Sequence, residues 1–479
     1  MHCRRSAGGP ADDWKENTMI RAFAGAGGKT AMIKEYAQRF RDEGRTVLIC
    51  TSTRMYKEDD TVITDDADEI IEGLRAGRIL MAGTDCGEKI GPLSMETYYR
   101  VSSAADETLI EADGSKHLPL KMPAEFEPVI YDNVDEVIIV YGLHSLGMKA
   151  EEAVHRFELA EERGIVRRGD VICAEDITRI IRAGYMEKNF MDMKVSLRGA
   201  GYRNLYERAL ASVIDSGLSP EILDKRWFDG KPLLAVCGGG HISQQIVKIA
   251  SCLDFRIRVI DDREEFADRK RFPLADDVIC DSFDNLEKHM EDGAYYVIVT
   301  RGHRDDRLCL EKIIRTDASY IGMIGSRAKV SGTFELMEKA GFSKDELDRV
   351  HAPVGLEIGA STPSEIAVSI LAEIILEKNK ESFSSASGEL LMSKEEGVLC
   401  IISGKTGSSP RGVGSMMLVT ENGIIDSIGG GALEAQVIED ARKCTEACEK
   451  VYSLESGGSL GMICGGTNRV LIIPLKRRI

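Results

Sequence analysis

The sequence predicts an α/β protein made of three parts: a P-loop-like parallel-sheet domain, a Rossmann-type domain and a small α+β domain. Three observations lead there. Two apolar strands, MIRAFAG and PLLAVC, each run into a glycine turn followed by a helix-period stretch. Strand and helix patterns then alternate through the first two thirds of the chain, which favours parallel sheets with helices on both faces. The last part instead holds short strands separated by glycine turns.

The elements follow in order. Residues 1–18 contain basic residues but no apolar stretch after them, so they do not read as a signal peptide; a disordered extension before Met19 is expected. The first domain covers 19–216. Its first helix carries Met32, Ile33, Tyr36, Ala37 and Phe40 on one face and stops near Gly44. TVLICTST, RILMAGT, TLIEAD and VDEVIIVYG are its further strands. The second domain covers 225–380. Its first helix shows Ile242, Ile246, Ile249, Ala250 and Leu253, and RIRVIDDR, YYVIVTRGH and YIGMIGS are its later strands. A Ser- and Gly-bearing linker spans 381–395. The small domain, 396–479, has strands VLCIIS, SMMLVT and RVLIIPL and a helix around Glu434–Glu449.

Composition excludes several classes. Of 479 residues, 62 are Lys or Arg and 79 are Asp or Glu, a net charge of −17, which argues against a general nucleic-acid binder. No apolar run approaches the ~20 residues of a membrane-spanning helix. Twelve cysteines without a repeating spacing read as reduced thiols of a cytoplasmic protein. Cys444 and Cys448 share a face if helical, but two ligands do not close a zinc site.

The chemistry-bearing loops come next. In GAGGKT, Gly25, Gly27 and Gly28 can turn backbone N–H groups toward an anion. Lys29 is placed to reach terminal phosphates and Thr30 to ligate Mg²⁺, with Lys29 expected to face solvent at the helix start. Standard spacing would put glycine at position 23, where Phe23 stands. Asp113, ending TLIEAD, is the acid expected beside such a loop, catalytic or on the same Mg²⁺. In GGGHIS, Gly238, Gly239 and Gly240 form a second loop, with Ser243 where a third fingerprint glycine belongs. Asp261 and Asp262 follow at the distance of a ribose-binding acid. His241 and His303 fall on loops at strand ends, as ligand groups or ordinary loop histidines; His117, His144 and His155 carry the same ambiguity.

These stretches reach two resemblances. FAGAGGKT, CTSTRM, LIEADGSKHLPLK, PAEFEPVI, YGLHSLG and VHR resemble the YqeC family, across most of 19–216. That implies an accessory role toward selenium-dependent molybdenum hydroxylases, with Lys29, Thr30, Asp113 and Lys116 lining a phosphate site for ATP or GTP with Mg²⁺. An Asn-Lys-x-Asp-like stretch of that family is missing from VSLRGAGYRNLYERA, so base preference stays open. The second segment, from GGGHIS through TRGH-x-x-D, YIGMIGSRAK and PVGLEIGASTPSEIAVSILAEI, resembles the Rossmann domain of the XdhC/CoxI family. TGSSPR-x-x-GSMMLV, SIGGGALEAQVIEDA and CGGTNRVLIIPL resemble that family's small domain, here placed after the Rossmann unit.

The second resemblance implies handling of the molybdenum cofactor. Gly238–Gly240, His241, Asp261, Arg411, Gly430, Gly431, Gly465 and Gly466 would contact it. Ala432 stands where many relatives carry Cys, which leaves Cys464 as the sulfur candidate, expected to share a cleft with the GGGHIS loop. The implied partners are a molybdenum hydroxylase apoenzyme and a cysteine desulfurase or selenium donor, and a homo-oligomer is expected. Two alternatives stand beside this reading: an NAD(P)-dependent oxidoreductase and a non-catalytic cofactor chaperone.

Overall fold

The structure is a computed structural model that describes residues 18–77, 79–190, 192–380, 386–407, 411–453 and 466–475. The α/β class holds throughout. The chain divides into two compact units, one of 1–224 with 392–408 and 417–479, the other of 225–391 with 409–416.

The first unit opens with β1 (Met19–Gly25), α1 (Lys29–Asp42), β2 (Val47–Thr51), α2 (Ala67–Ala76), β3 (Ile79–Cys86), α3 (Met95–Ala104), β4 (Glu107–Glu111), β5 (Glu136–Gly142), β6 (Lys194–Ala200) and α4 (Leu205–Asp215). The six strands pair in parallel in the order β6-β5-β1-β4-β2-β3. Period-2 alternation divides the core. Phe23 packs with Met32, Ile33, Ala37 and Phe40 of α1, whereas Ala22 and Ala24 face Ile70, Leu74, Tyr98 and Val101 of α2 and α3. Tyr36 is half-buried at the rim of that face. The VSLRGA stretch forms β6, a strand the periodicity does not reveal.

The second unit holds β7 (Leu233–Cys237), α5 (His241–Ala250), β8 (Arg256–Asp261), β9 (Asp277–Cys280), β10 (Tyr295–Ile298), α6 (His303–Ile313), β11 (Tyr320–Met323), α7 (Arg327–Lys339), β12 (Val350–His351) and α8 (Pro363–Lys380). Its parallel order, β9-β8-β7-β10-β11-β12, is the 3-2-1-4-5-6 order of a Rossmann sheet. Leu233, Ala235 and Cys237 face Cys309 and Leu310 of α6; Leu234 and Val236 face Ile246, Val247 and Ala250 of α5. On α5, Val247 takes a buried place, and Ile242 and Ile249 lie half-buried.

The small sheet comprises β13 (Gly397–Gly407), β14 (Met416–Val419), β15 (Ile424–Asp426), β16 (Cys448–Ser453) and β17 (Gly466–Leu475), ordered β15-β14-β13-β17-β16, with α9 (Gly431–Ala441) packed on it. The sequence pattern predicts a helix to about Glu449. The helix ends at Ala441, and Cys448 begins an edge strand, so Cys444 and Cys448 are not helical neighbours. This sheet belongs to the first unit because of α4. Leu205, Ala209, Leu210, Ala211, Val213 and Ile214 are all buried, as are Glu207, Arg208 and Ser212, and a helix buried around its whole circumference needs cover on two sides. It lies against β6 on one side and β17 on the other. Arg208 donates to the Glu395 carbonyl at 2.9 Å, and the Ala447 N–H donates to Ser216 Oγ at 2.8 Å across the same seam.

Candidate functional site

The first site grows from the carboxyl end of β1. Its neighbours are β4 and β5, and the chain leaves β1 through Gly25–Gly28 into α1. Phe23 is fully buried within β1 and meets Tyr36 edge-on at 5.4 Å between ring centres. The standard first glycine is therefore absent because position 23 is core strand, and the loop is correspondingly shorter. Gly25 and Gly28 both have φ +105, and a Cβ on Gly25 would lie 2.2 Å from the Val140 carbonyl oxygen. Only glycine fits that approach.

Lys29 does not face solvent, contrary to the sequence expectation. It is 4% exposed. Its ammonium donates to the Gly25 carbonyl at 2.7 Å and pairs with Asp113 Oδ1 at 3.0 Å. The reason is local: Asp113 is fully buried just past β4, and a buried carboxylate draws in a counter-charge. Asp113 also accepts from the Gly25 N–H at 3.0 and 3.1 Å and from the Tyr185 hydroxyl at 3.2 Å. A second ammonium, Lys121, sits on its other oxygen at 3.0 Å. Lys121 reaches Glu127 Oε2, also at 3.0 Å, and Glu127 is bound in turn by the Arg156 guanidinium. Burial pushes the Glu127 carboxyl up, but Arg156 and Lys121 outweigh it and hold it at about 2. Charges thus alternate from the glycine loop outward: Lys29, Asp113, Lys121, Glu127, Arg156.

Thr30 is exposed, and its hydroxyl donates to Glu111 Oε2 at 3.2 Å. The acid facing Thr30 is thus Glu111, which sequence reasoning passed over although the run LIEAD contains both carboxylates. Burial pushes the Glu111 carboxyl up, opposed by Lys29 and Thr30. A threonine hydroxyl and a carboxylate are hard oxygen donors of the kind Mg²⁺ takes. The N–H groups of Ala26 and Gly27 donate to the Val140 and Leu118 carbonyls, each at 2.8 Å. What the loop still offers an anion is the first turn of α1, where N-cap Gly28 brings no side-chain cap.

Lys116 is exposed and left-handed at φ 51, followed by His117 at φ 63. Arg156 is left-handed too, at φ 60. Such backbone costs of order 1–3 kcal/mol per residue and gathers at functional sites. The His117 ring stacks on Tyr56 at 5.8 Å. His155 lies among Lys121, Arg156 and Lys116, and burial followed by those charges lowers its pKa. His144 packs against glycines: a Cβ on Gly201 would lie 2.5 Å from its Nδ1.

In the second unit, Gly238–Gly240 leaves β7 into α5 at the sheet's switch point. A Cβ on Gly239 would lie 2.5 Å from the Phe266 carbonyl oxygen, whereas one on Gly240 would meet nothing within 4 Å. Asp261 is only 1% exposed. It accepts from the Gly239 N–H at 2.7 Å and from Arg263 Nε and Nη2 at 2.9 Å each. Both its oxygens are committed within the protein, and Asp262 is the exposed acid of the pair. His241 is exposed at the start of α5. Asp306 of the TRGH-x-x-D stretch is fully buried; it accepts from Thr300 and pairs with Lys329 of GSRAK at 2.5 Å. Two motifs far apart in sequence are thereby tied at one sheet edge.

In the small sheet, Gly430 and Gly431 have φ +71 and +69. The Gly430 N–H donates to Glu434 at 3.0 Å, and Glu434 also accepts from Ile428 N–H and the Ser427 hydroxyl. Arg411 is exposed, and Gly466 is buried at the start of β17. Cys464 and Gly465 lie outside the described residues. Among the described residues, no group of three or more His, Cys, Asp or Glu side chains is arranged to hold a metal ion, and no helix is long and apolar enough to cross a membrane.

Three family models match the chain: YqeC protein over 21–158, XdhC Rossmann domain over 234–374, and XdhC and CoxI family over 390–455. "Uncharacterized protein YqeB" of Escherichia coli (strain K12) is 32% identical over 163 residues, 34% of this chain and 29% of that protein. A probable xanthine dehydrogenase subunit of Bacillus subtilis (strain 168) is 30% identical over 149 residues, 30% of this chain and 42% of that protein. "Uncharacterized protein YqeC" of Escherichia coli (strain K12) is 34% identical over 152 residues, 30% of this chain and 59% of that protein. The chain spans less than two thirds of each of these relatives. Segment by segment, it is similar to a YqeC protein, then to an XdhC Rossmann domain, then to the XdhC and CoxI family.

Proposed function

We propose that this chain is an accessory or maturation protein for molybdenum hydroxylases, and that it binds ATP or GTP with Mg²⁺ at Gly25–Thr30. The observation that carries the reading is the joining, on one chain, of a YqeC match to two XdhC matches. The relative named as a probable xanthine dehydrogenase subunit supports the choice of hydroxylase as the class of partner. Selenium-dependent hydroxylases, a selenium or sulfur donor and a cofactor-modifying step belong to the same proposal.

The geometry supports specific roles. Lys29 would turn from Asp113 toward phosphate oxygens, and Lys121, Gly25 N–H and Tyr185 would keep Asp113 compensated meanwhile. Thr30 and Glu111 would hold Mg²⁺, which would neutralise phosphate charge. In the second unit, the open space over Gly240 and the N-terminus of α5 suit the phosphate end of a molybdopterin-type cofactor. Bound there, that cofactor would supply the molybdenum chemistry of the partner. Cys464 remains the sulfur candidate of this proposal.

One observation favours an NAD(P) reading, the 3-2-1-4-5-6 strand order. Against it, the acid that would take the ribose hydroxyls is filled by Arg263 and Gly239.

Mass spectrometry of ligands on the protein purified from its host, with calorimetry of ATP and GTP with and without Mg²⁺, is the test. Recovery of a pterin and Mg²⁺-dependent nucleotide binding are expected. Recovery of NAD(P) with no pterin, and no heat from either nucleotide, would overturn the proposal.

A further inference from the structure

The small sheet brings together three cysteines that the sequence scatters. Cys400 of β13 and Cys448 of β16 both stand opposite Ile472 of β17, one from each side. Residues directly opposite in antiparallel strands share a face, so both cysteines lie on the face of Ile472. Cys444, in the turn after α9, reaches the same row: its Sγ lies 2.9 Å from the Glu446 carbonyl and 3.8 Å from the Ile472 carbonyl. Cys444 and Cys448 thus both border Ile472, one at its carbonyl and one directly across the strand pair.

Access distinguishes this pair from the buried cysteines Cys50, Cys237, Cys309 and Cys400, and nearness to each other distinguishes it from the exposed Cys86, Cys173, Cys252 and Cys280. Cys400 is fully buried behind it, whereas Cys444 and Cys448 are half-buried. The other neighbouring pair among the described residues, Cys237 and Cys309, is fully buried in the Rossmann core. A small reagent reaches the first pair and not the second.

We propose that Cys444 and Cys448 form a redox-active dithiol that closes to an intramolecular disulfide by exchange with a low-molecular-weight disulfide such as glutathione disulfide. One thiolate attacks a sulfur of glutathione disulfide, forms a mixed disulfide and expels one glutathione thiolate. The second cysteine, deprotonated, attacks the protein-side sulfur and expels the other. Two electrons pass from the dithiol to glutathione disulfide, and the two thiol protons leave to solvent or to the glutathione thiolates. Both cysteines already border Ile472, and closing requires the two sulfurs to approach to about 2 Å. Burial and then the neighbouring Cys448 sulfur push the Cys444 thiol up to about 11, opposed by Glu446 and Lys450, so exchange at Cys444 quickens as pH rises. The turn that would be clamped contains Ala447, whose N–H is bonded to Ser216 just past α4. The dithiol therefore sits where the small sheet meets the nucleotide-type domain, and it needs neither nucleotide nor pterin.

The test uses the full chain equilibrated in glutathione buffers of graded oxidation, quenched in acid, alkylated and mapped by peptide mass spectrometry. A peptide linking Cys444 to Cys448 should appear, grow with the oxidised fraction and vanish on reduction. Cys444→Ser and Cys448→Ser should each abolish the link and leave the remaining cysteine glutathionylated, whereas Cys400→Ala should leave it intact. If Cys444 and Cys448 stay alkylated as free thiols in the most oxidising buffer, or if either links to another cysteine such as Cys464 instead, the proposal is wrong.

Discussion

Replacing Lys29 by Met removes an ammonium from a nearly sealed site while keeping most of the side chain's volume. Asp113 then loses one of two ammonium partners but keeps Lys121 at 3.0 Å, the Gly25 N–H and the Tyr185 hydroxyl. Breaking a buried pair costs about 3–5 kcal/mol when the remaining charge is left alone. With Lys121 still in place, a loss of about 1–3 kcal/mol is expected, near the range for one unsatisfied buried group. Asp113→Ala is the harsher change. It strips Lys29 of this carboxylate, leaving the Gly25 and Ala26 carbonyls, which carry no full charge, as its hydrogen-bond acceptors. The full ~3–5 kcal/mol should then appear. Urea unfolding of wild type, both single variants and the double variant measures the order and, as a cycle, the coupling. If Lys29→Met is within ~0.5 kcal/mol of wild type, as a surface change would be, the buried-pair argument fails. The same variants in calorimetry separate binding from stability: Lys29→Met should weaken ATP and GTP even where it is fully folded.

Other expectations follow from the same geometry. Glu111→Gln should raise the melting temperature at neutral pH, because a carboxyl whose folded pKa is raised costs stability once pH exceeds its unfolded value; scanning calorimetry reads the sign, and calorimetric titration should show weaker Mg²⁺ dependence of nucleotide binding. Glu127 has the opposite sign. Its contribution is present above an unfolded value of about 4.3 and is lost as pH falls toward about 2, so the stability gap between wild type and Glu127→Gln in urea should close across that window. Gly239→Ala should cost about 1–3 kcal/mol by driving a Cβ onto the Phe266 carbonyl, whereas Gly240→Ala, which meets open space, should stay within about 0.5 kcal/mol; thermal melts of the two side by side decide it.

Much of this architecture was legible because it rests on local periodicity. Strands ending in glycine turns, the apolar face of α1 and the acid two residues past β4 are all readable from spacing alone. So was the Rossmann unit, whose strand, loop, helix, strand and acid occur in sequence order. The roles within these frames were less legible. The resemblance implies Lys116 at the phosphate site; the lysine that pairs with Asp113 besides Lys29 is a different one, Lys121, five residues on and fully buried. Nothing in the run SKHLPLK separates the two until the chain folds back. The helix expected through Cys448 ended at Ala441 because Cys448 pairs with Ile472, a partner that lies 24 positions away in sequence and cannot be read from a local window.

By itself, then, the sequence determined the α/β class, the two glycine loops at strand ends and the net acidity, since each depends on residues near one another in the chain or on composition alone. Only the tertiary structure decided which charges meet. Lys29 turns inward because Asp113 is buried beside it; Thr30 meets Glu111 and not Asp113; Asp261 is filled by Arg263 and Gly239. It also decided that the small sheet packs on α4, a helix buried on too many sides to be covered on one only. Burial and long-range pairing are properties of the packed chain, and no spacing rule expresses them.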